Sequence, residues 1–102
     1  MNKNQMNNTS QFNLTSKQRK EFEKAAHNLE PVVIIGGNGA TDGVIKMIDE
    51  CLTHHELIKV KFNEFKDEKK QISENIAQEL NATLIRIIGN IAIFYRENPE
   101  KD

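Results

Sequence analysis

The chain has 102 residues, enough for one domain with a single modest core, and its 14 basic and 15 acidic side chains leave a net charge of −1. A generic polycation is thereby excluded, so any grip on nucleic acid must come from a local basic patch. One cysteine, Cys51, allows no disulfide framework within the chain, and no apolar run approaches the roughly 18 residues of a membrane span.

Residues 1–13 hold five Asn and two Gln, with only Met1, Met6 and Phe12 as large apolar groups. Such a stretch buries too little surface to offset its ordering entropy and reads as a disordered tail. It also lacks the apolar core of a signal peptide, which makes the cytoplasm the expected location. A first helix begins at Thr15, whose hydroxyl can cap the first turn while Gln18 reaches back, as in a capping box. Phe22, Ala25, Ala26 and Leu29 form its apolar stripe, and Pro31 forces the chain out of helix. Lys17, Lys20, Lys24 and His27 fall on one polar stripe of the same helix, with Arg19 beside it. That stripe reads either as a solvated face or as a row of phosphate contacts.

Val32, Val33, Ile34 and Ile35 make a first strand that runs into Gly36-Gly37-Asn38-Gly39. A second helix follows from about Asp42 to Thr53, capped by Thr41, with apolar spacing Val44, Ile45, Ile48, Cys51 and Leu52. A strand, a glycine turn and a helix start in that order aim backbone N–H groups and the positive end of a helix dipole outward, a surface suited to phosphate. A nucleotide P-loop would need Lys-Ser/Thr after Gly39, where the chain has Ala40 and Thr41. The dinucleotide pattern would need a third glycine where Asp42 stands. What remains is a G-x-x-G loop of the kind that clamps a nucleic-acid backbone in KH domains, although theirs joins two helices. The same four residues also read as a tight strand-to-helix turn.

At the end of the second helix, His54-His55-Glu56 could suggest a metal site, but adjacent histidines cannot share one helix face. Side chains of this kind suit the carbonyls of a helix end. Cys51 lies on an apolar face and reads as a buried structural thiol, and His27 with Cys51 offers no third partner for nucleophilic catalysis. The chain therefore reads as a binding protein, with no cofactor, metal or small-molecule substrate expected. A nucleotide- or phosphate-binding module and a protein-binding adaptor remain the alternatives.

Leu57 to Phe62 form a second strand in which Ile58, Val60 and Phe62 face one way and Lys59 and Lys61 the other. A third helix spans about Asp67 to Leu80, with Ile72, Ile76 and Leu80 as its stripe. Strands over 83–88 and 91–96 flank Gly89-Asn90, a two-residue hairpin turn that would pair Ile88 with Ile91, Arg86 with Ile93 and Leu84 with Tyr95. The order is α-β-α-β-α-β-β. Right-handed crossovers place the second and third helices on one sheet face, and the first helix falls by elimination on part of the other face or its edge. Lys59, Lys61 and Arg86 are expected on that other side.

Leu14-Thr15, Leu29-Glu30-Pro31-Val32-Val33 and Ile35-Gly36-Gly37-Asn38-Gly39 lead through Thr41-Asp42-Gly43-Val44 to His54-His55-Glu56-Leu57-Ile58-Lys59-Val60-Lys61. With the closing Ile88-Gly89-Asn90 and Tyr95-Arg96, this pattern closely resembles the CRM domain (chloroplast RNA splicing and ribosome maturation) in its free-standing bacterial, YhbY-like form. The resemblance covers about residues 14–96, with a domain expected over 14–97 and tails over 1–13 and 98–102. It implies an α/β fold like the C-terminal domain of bacterial translation initiation factor three, with mixed strand order 1-2-4-3 and strand 4 antiparallel. It also implies a small RNA-binding protein that associates with precursors of the large ribosomal subunit; a monomer with no membrane partner is expected. The family's G-x-x-G loop maps onto Gly36, Gly37, Asn38 and Gly39. Its basic surface maps onto Lys17, Lys20, Lys24, Lys59 and Lys61. With no Trp and one Tyr, an aromatic stacking platform of the RRM type is not expected.

Overall fold

The elements follow the expected order, with their bounds shifted by one or two residues at several ends. The computed structural model describes residues 14–99; the expected tail over 1–13 lies outside the described residues, as do residues 100–102. Along the chain run α1 (Ser16–Ala26), β1 (Pro31–Ile35), α2 (Asp42–His55), β2 (Leu57–Phe62), a 3-10 turn (Lys66–Glu68), α3 (Lys69–Glu79), β3 (Thr83–Ile88) and β4 (Ile91–Tyr95). The Thr15–Gln18 capping box closes both ways, with Gln18 N–H donating to Thr15 Oγ1 at 3.0 Å and Thr15 N–H to Gln18 Oε1 at 2.9 Å. Thr41 caps α2 by accepting from the Val44 amide at 3.2 Å. α3 is shorter than its apolar spacing predicts, because the chain enters it through the 3-10 turn. It ends on Asn81, which takes the left-handed φ of 55° that Asn tolerates, while the Ala82 amide reaches back to Ala77 O at 2.8 Å.

The four strands form one sheet in the order β1-β2-β4-β3. β1 and β2 are parallel, and β4 runs antiparallel to both of its neighbours, as the resemblance implies. On one face Val33, Ile35, Ile58, Val60, Phe62, Ala92 and Phe94 meet Ile48 and Leu52 of α2 and Ile76 and Ala77 of α3. Phe62 and Phe94 are the largest fully buried side chains there, each contributing about 1.5–3 kcal/mol by burial. On the other face a smaller cluster joins Ala26 and Phe22 of α1 to Ile85, Ile93, Leu57 and Tyr95, with the Phe22 and Tyr95 rings 4.2 Å apart. α2 and α3 therefore share one face, as the crossover rule requires, and α1 packs on the other.

The hairpin departs from the expected register in one place. Ile88 pairs with Ile91 and Arg86 with Ile93, but Leu84 lies opposite Phe94 and Thr83 opposite Tyr95. An irregularity at Ile85 absorbs the extra residue. It turns both Ile85 and Arg86 toward α1, while Leu84 and Ile87 pack into the larger core. Arg19 answers the disturbed ladder, since its Nη1 donates to Leu84 O at 3.0 Å and Ile85 O at 2.9 Å. Gly89 supplies the turn's left-handed residue, with φ of 59°.

Candidate nucleic-acid interface

The loop after β1 stands at the carboxyl end of the parallel pair, where open α/β sheets place ligands. Gly39 N–H donates to Gly36 O at 2.9 Å and closes a four-residue turn with Gly37 and Asn38 at its exposed tip. Among the described residues, no acceptor takes the amides of Gly37, Asn38 or Ala40. The amides of Asp42 and Gly43 belong to the first turn of α2, where helices leave donors unmet. The loop thus presents outward N–H groups at the positive end of a helix of 14 residues. Outward N–H groups of this kind suit a phosphate oxygen and have no means of telling one base from another. Asp42 occupies the same first turn, so an anion must approach from the Gly37–Asn38 side.

Only one of the loop's glycines is compelled by its backbone. Gly39 has φ of 73°, and a Cβ placed on it would lie 3.4 Å from the Phe65 ring. Gly36 and Gly37 have no left-handed φ and open space where a side chain would stand. Gly39→Ala is expected to cost about 1–2 kcal/mol, the penalty for a left-handed residue with a Cβ. Urea denaturation checks it: a loss below about 0.5 kcal/mol would show that the turn relaxes freely.

The basic residues divide. Lys17, Lys20 and Lys24 are all exposed on α1. Glu23 lies on the flank of that helix next to Arg86, which it pairs at 3.0 Å. Helical spacing puts Lys20 three residues before Glu23 and His27 four after it, so both border the same flank. Lys61 is exposed on the same sheet face as α1. Lys59 is committed differently: its ammonium donates to Leu29 O at 3.0 Å and His27 O at 3.4 Å, holding the end of α1 to β2. Arg19, expected beside the lysine stripe, is turned inward to the β3 carbonyls.

Sequence reasoning missed part of this face. α1 covers only the end of the sheet that carries Leu57, Tyr95, Ile93 and Ile85. At the loop end, the register aligns Ile34, Lys61, Ile91 and Ile88 in one row across all four strands. Ile34 and Ile88 are 54% and 51% exposed there, which leaves an apolar strip with a lysine in it running up to the loop. Its signal was available: Ile34 and Ile88 alternate out of register with the core positions Val33, Ile35 and Ile87.

The candidates for chemistry stay modest. No group of three or more His, Cys, Asp or Glu side chains among the described residues is placed to hold a metal ion. His54 and His55 are exposed; near the end of α2 Asn98 donates to Thr53 O at 3.0 Å, and Arg96 reaches Asp49 O in the middle of the helix at 3.0 Å. Burial, with the nearby Glu50 carboxylate, pushes the Cys51 thiol above its ordinary range, away from the reactive thiolate. Burial likewise raises Tyr95, with Glu56 and Glu97 adding to it. No helix among the described residues is long and apolar enough to cross a membrane.

Comparison with known proteins agrees with this architecture. A Haemophilus influenzae protein named as an RNA-binding protein is 44% identical over 88 residues, which cover 85% of this chain and 89% of that protein. The Bacillus subtilis protein named "Probable RNA-binding protein YqeI" is 34% identical over 88 residues, or 85% of this chain and 92% of that one. The solution structure of a Staphylococcus aureus protein described as a candidate RNA-binding protein superposes with a TM-score of 0.74 at 37% identity. It spans 87% of this chain and 94% of that one. Residues 14–96 match the CRS1/YhbY (CRM) domain, and the chain belongs to that family.

Proposed function

We propose that this protein binds ribosomal RNA and, in the cytoplasm, assists assembly of the large ribosomal subunit by associating with its precursors as a monomer. The observation that carries the reading is the loop at residues 36–39. Its unmatched amides stand at the head of α2 and at the edge of an exposed sheet face bearing Lys61. Its relatives' names support RNA as the partner, and the family resemblance supplies the ribosomal precursor. In this reading the loop takes backbone phosphates and Lys17, Lys20, Lys24 and Lys61 extend the contact. Lys59 serves chiefly by fixing α1 beside them.

Titration against ribosomal RNA and, separately, ATP tests the class of ligand. Binding of RNA without ATP supports the reading, binding of ATP makes the loop a nucleotide module, and binding of neither leaves a protein adaptor. Sedimentation of a lysate containing the tagged protein tests the target, which is expected in the precursor large-subunit fractions. Changing Lys17, Lys20 and Lys24 together to Gln is expected to weaken RNA binding without altering the melting temperature. The slope of log affinity against log salt should flatten by about 0.7–0.9 for each lost phosphate contact. An unchanged slope would remove α1 from the interface.

A further inference from the structure

Phe65 is a large apolar residue in a polar stretch, 41% exposed, and it holds the left-handed backbone conformation with φ of 57°. For a bulky side chain that conformation is an outlier. The backbone around it is pinned: the Asn63 and Glu64 amides donate to Ile35 O at 3.0 and 3.3 Å, and the Glu68 amide donates to Phe65 O at 3.1 Å. Ile35 is the last residue of β1, so these bonds lash the segment after β2 to the base of the glycine loop. The ring consequently lies against Gly39, within 3.4–3.9 Å of where a Cβ would stand there. It does not enter the core. A partly exposed aromatic ring is thus displayed against Gly39, the residue that follows the Gly37–Asn38 tip of the loop.

We propose that Phe65 is a stacking platform for one unpaired nucleobase whose neighbouring phosphate is held by the loop. The inference rests on the reading of the loop as an RNA phosphate site and adds what it selects, a single-stranded or bulged nucleotide rather than a continuous duplex. Charge favours a base over a second phosphate. Glu64, Asp67 and Glu68 lie within three residues of Phe65 along the chain, with Lys66 among them. An uncharged aromatic ligand meets no repulsion there, whereas another phosphate would. Every base has a π-face, so the platform contributes affinity for unpaired nucleotides without reading their sequence.

The test uses the full chain, ribosomal RNA, and a purine-rich single-stranded RNA carrying a fluorescent adenine analogue. The wild-type protein should quench the analogue on binding. Phe65→Tyr should retain wild-type affinity, while Phe65→Leu and Phe65→Asn should each lose about 5- to 160-fold, the range for one base–aromatic stack. The salt slope should stay unchanged in both, because no phosphate contact is removed. Asn accepts the left-handed conformation, so Phe65→Asn is expected to remain folded, and its melting curve checks this. Wild-type affinity in Phe65→Leu would overturn the proposal, since leucine can brace Gly39 but cannot stack. A flattened salt slope in either variant would overturn it too, by showing that the ring merely shapes the phosphate loop. A wild-type protein that binds ribosomal RNA without quenching the analogue overturns the platform alone. One that binds no RNA overturns the functional reading beneath it.

Discussion

Replacing Gly37 and Asn38 together with aspartate is expected to lower affinity for ribosomal RNA by about 100-fold, with the fold left intact. Both residues are exposed at the tip of the loop, and neither has a left-handed φ. A Cβ on Gly37 meets nothing within 4 Å, so the new side chains enter solvent without strain. A carboxylate about 6 Å from an approaching phosphate repels it by roughly 3 kcal/mol at an effective dielectric near 20. Two such charges, reduced by salt, leave about 2.7 kcal/mol, or two factors of ten. Stability should not fall, because the positive end of α2 favours negative charge close by. Gly37→Ser with Asn38→Ser controls for bulk and should bind like the wild type. A folded Asp-Asp variant with wild-type affinity would reduce the loop to a strand-to-helix turn.

Features with a short-range cause were legible in the chain itself. Thr15 and Gln18 are three residues apart and cap each other as their spacing implies. The alternation of Ile58, Val60 and Phe62 with Lys59 and Lys61 set the faces of β2 correctly. Gly89-Asn90 placed the hairpin turn. What escaped is decided by partners distant in sequence. The irregularity at Ile85 is matched by a guanidinium 66 residues away, so no local pattern in β3 announces it. Lys59 reads in the sequence as a free cation, because its acceptor Leu29 O lies 30 residues earlier, in the segment that follows α1. Phe65 carried a weak signal, an aromatic between Glu64 and Lys66 outside any apolar period. Its place against Gly39 depends on how the ends of β1 and β2 are tied together.

Arg96→Ala is expected to cost about 3 kcal/mol of stability while leaving RNA affinity unchanged at temperatures where the variant is folded. The side chain follows β4 and is mostly buried, with 19% of its surface exposed. Nη1 donates to Asp49 Oδ1 at 2.6 Å and Leu80 O at 3.0 Å, and Nη2 to Asp49 O and Thr53 Oγ1 at 3.0 Å each. One planar group therefore ties the end of the central strand to α2 and to the C-terminal cap of α3. Hydrogen bonds to a charged group contribute about 1.5–3 kcal/mol where their loss leaves partners unmet. Asp49 is 48% exposed and would be rehydrated, which holds the total well below four such bonds. At about 4–8 °C for each kcal/mol in a domain of this size, the melting temperature should fall by roughly 12–24 °C. Arg96→Lys should recover only part of the loss, because a point ammonium cannot serve the same fork of acceptors. β4 is antiparallel to β2, so this network lies at the opposite end of the sheet from the glycine loop. RNA titration of Arg96→Ala below its melting transition checks that separation. A stability change within about 0.5 kcal/mol would show that water replaces the guanidinium at every acceptor, and that the core on the α2–α3 face holds these elements without it.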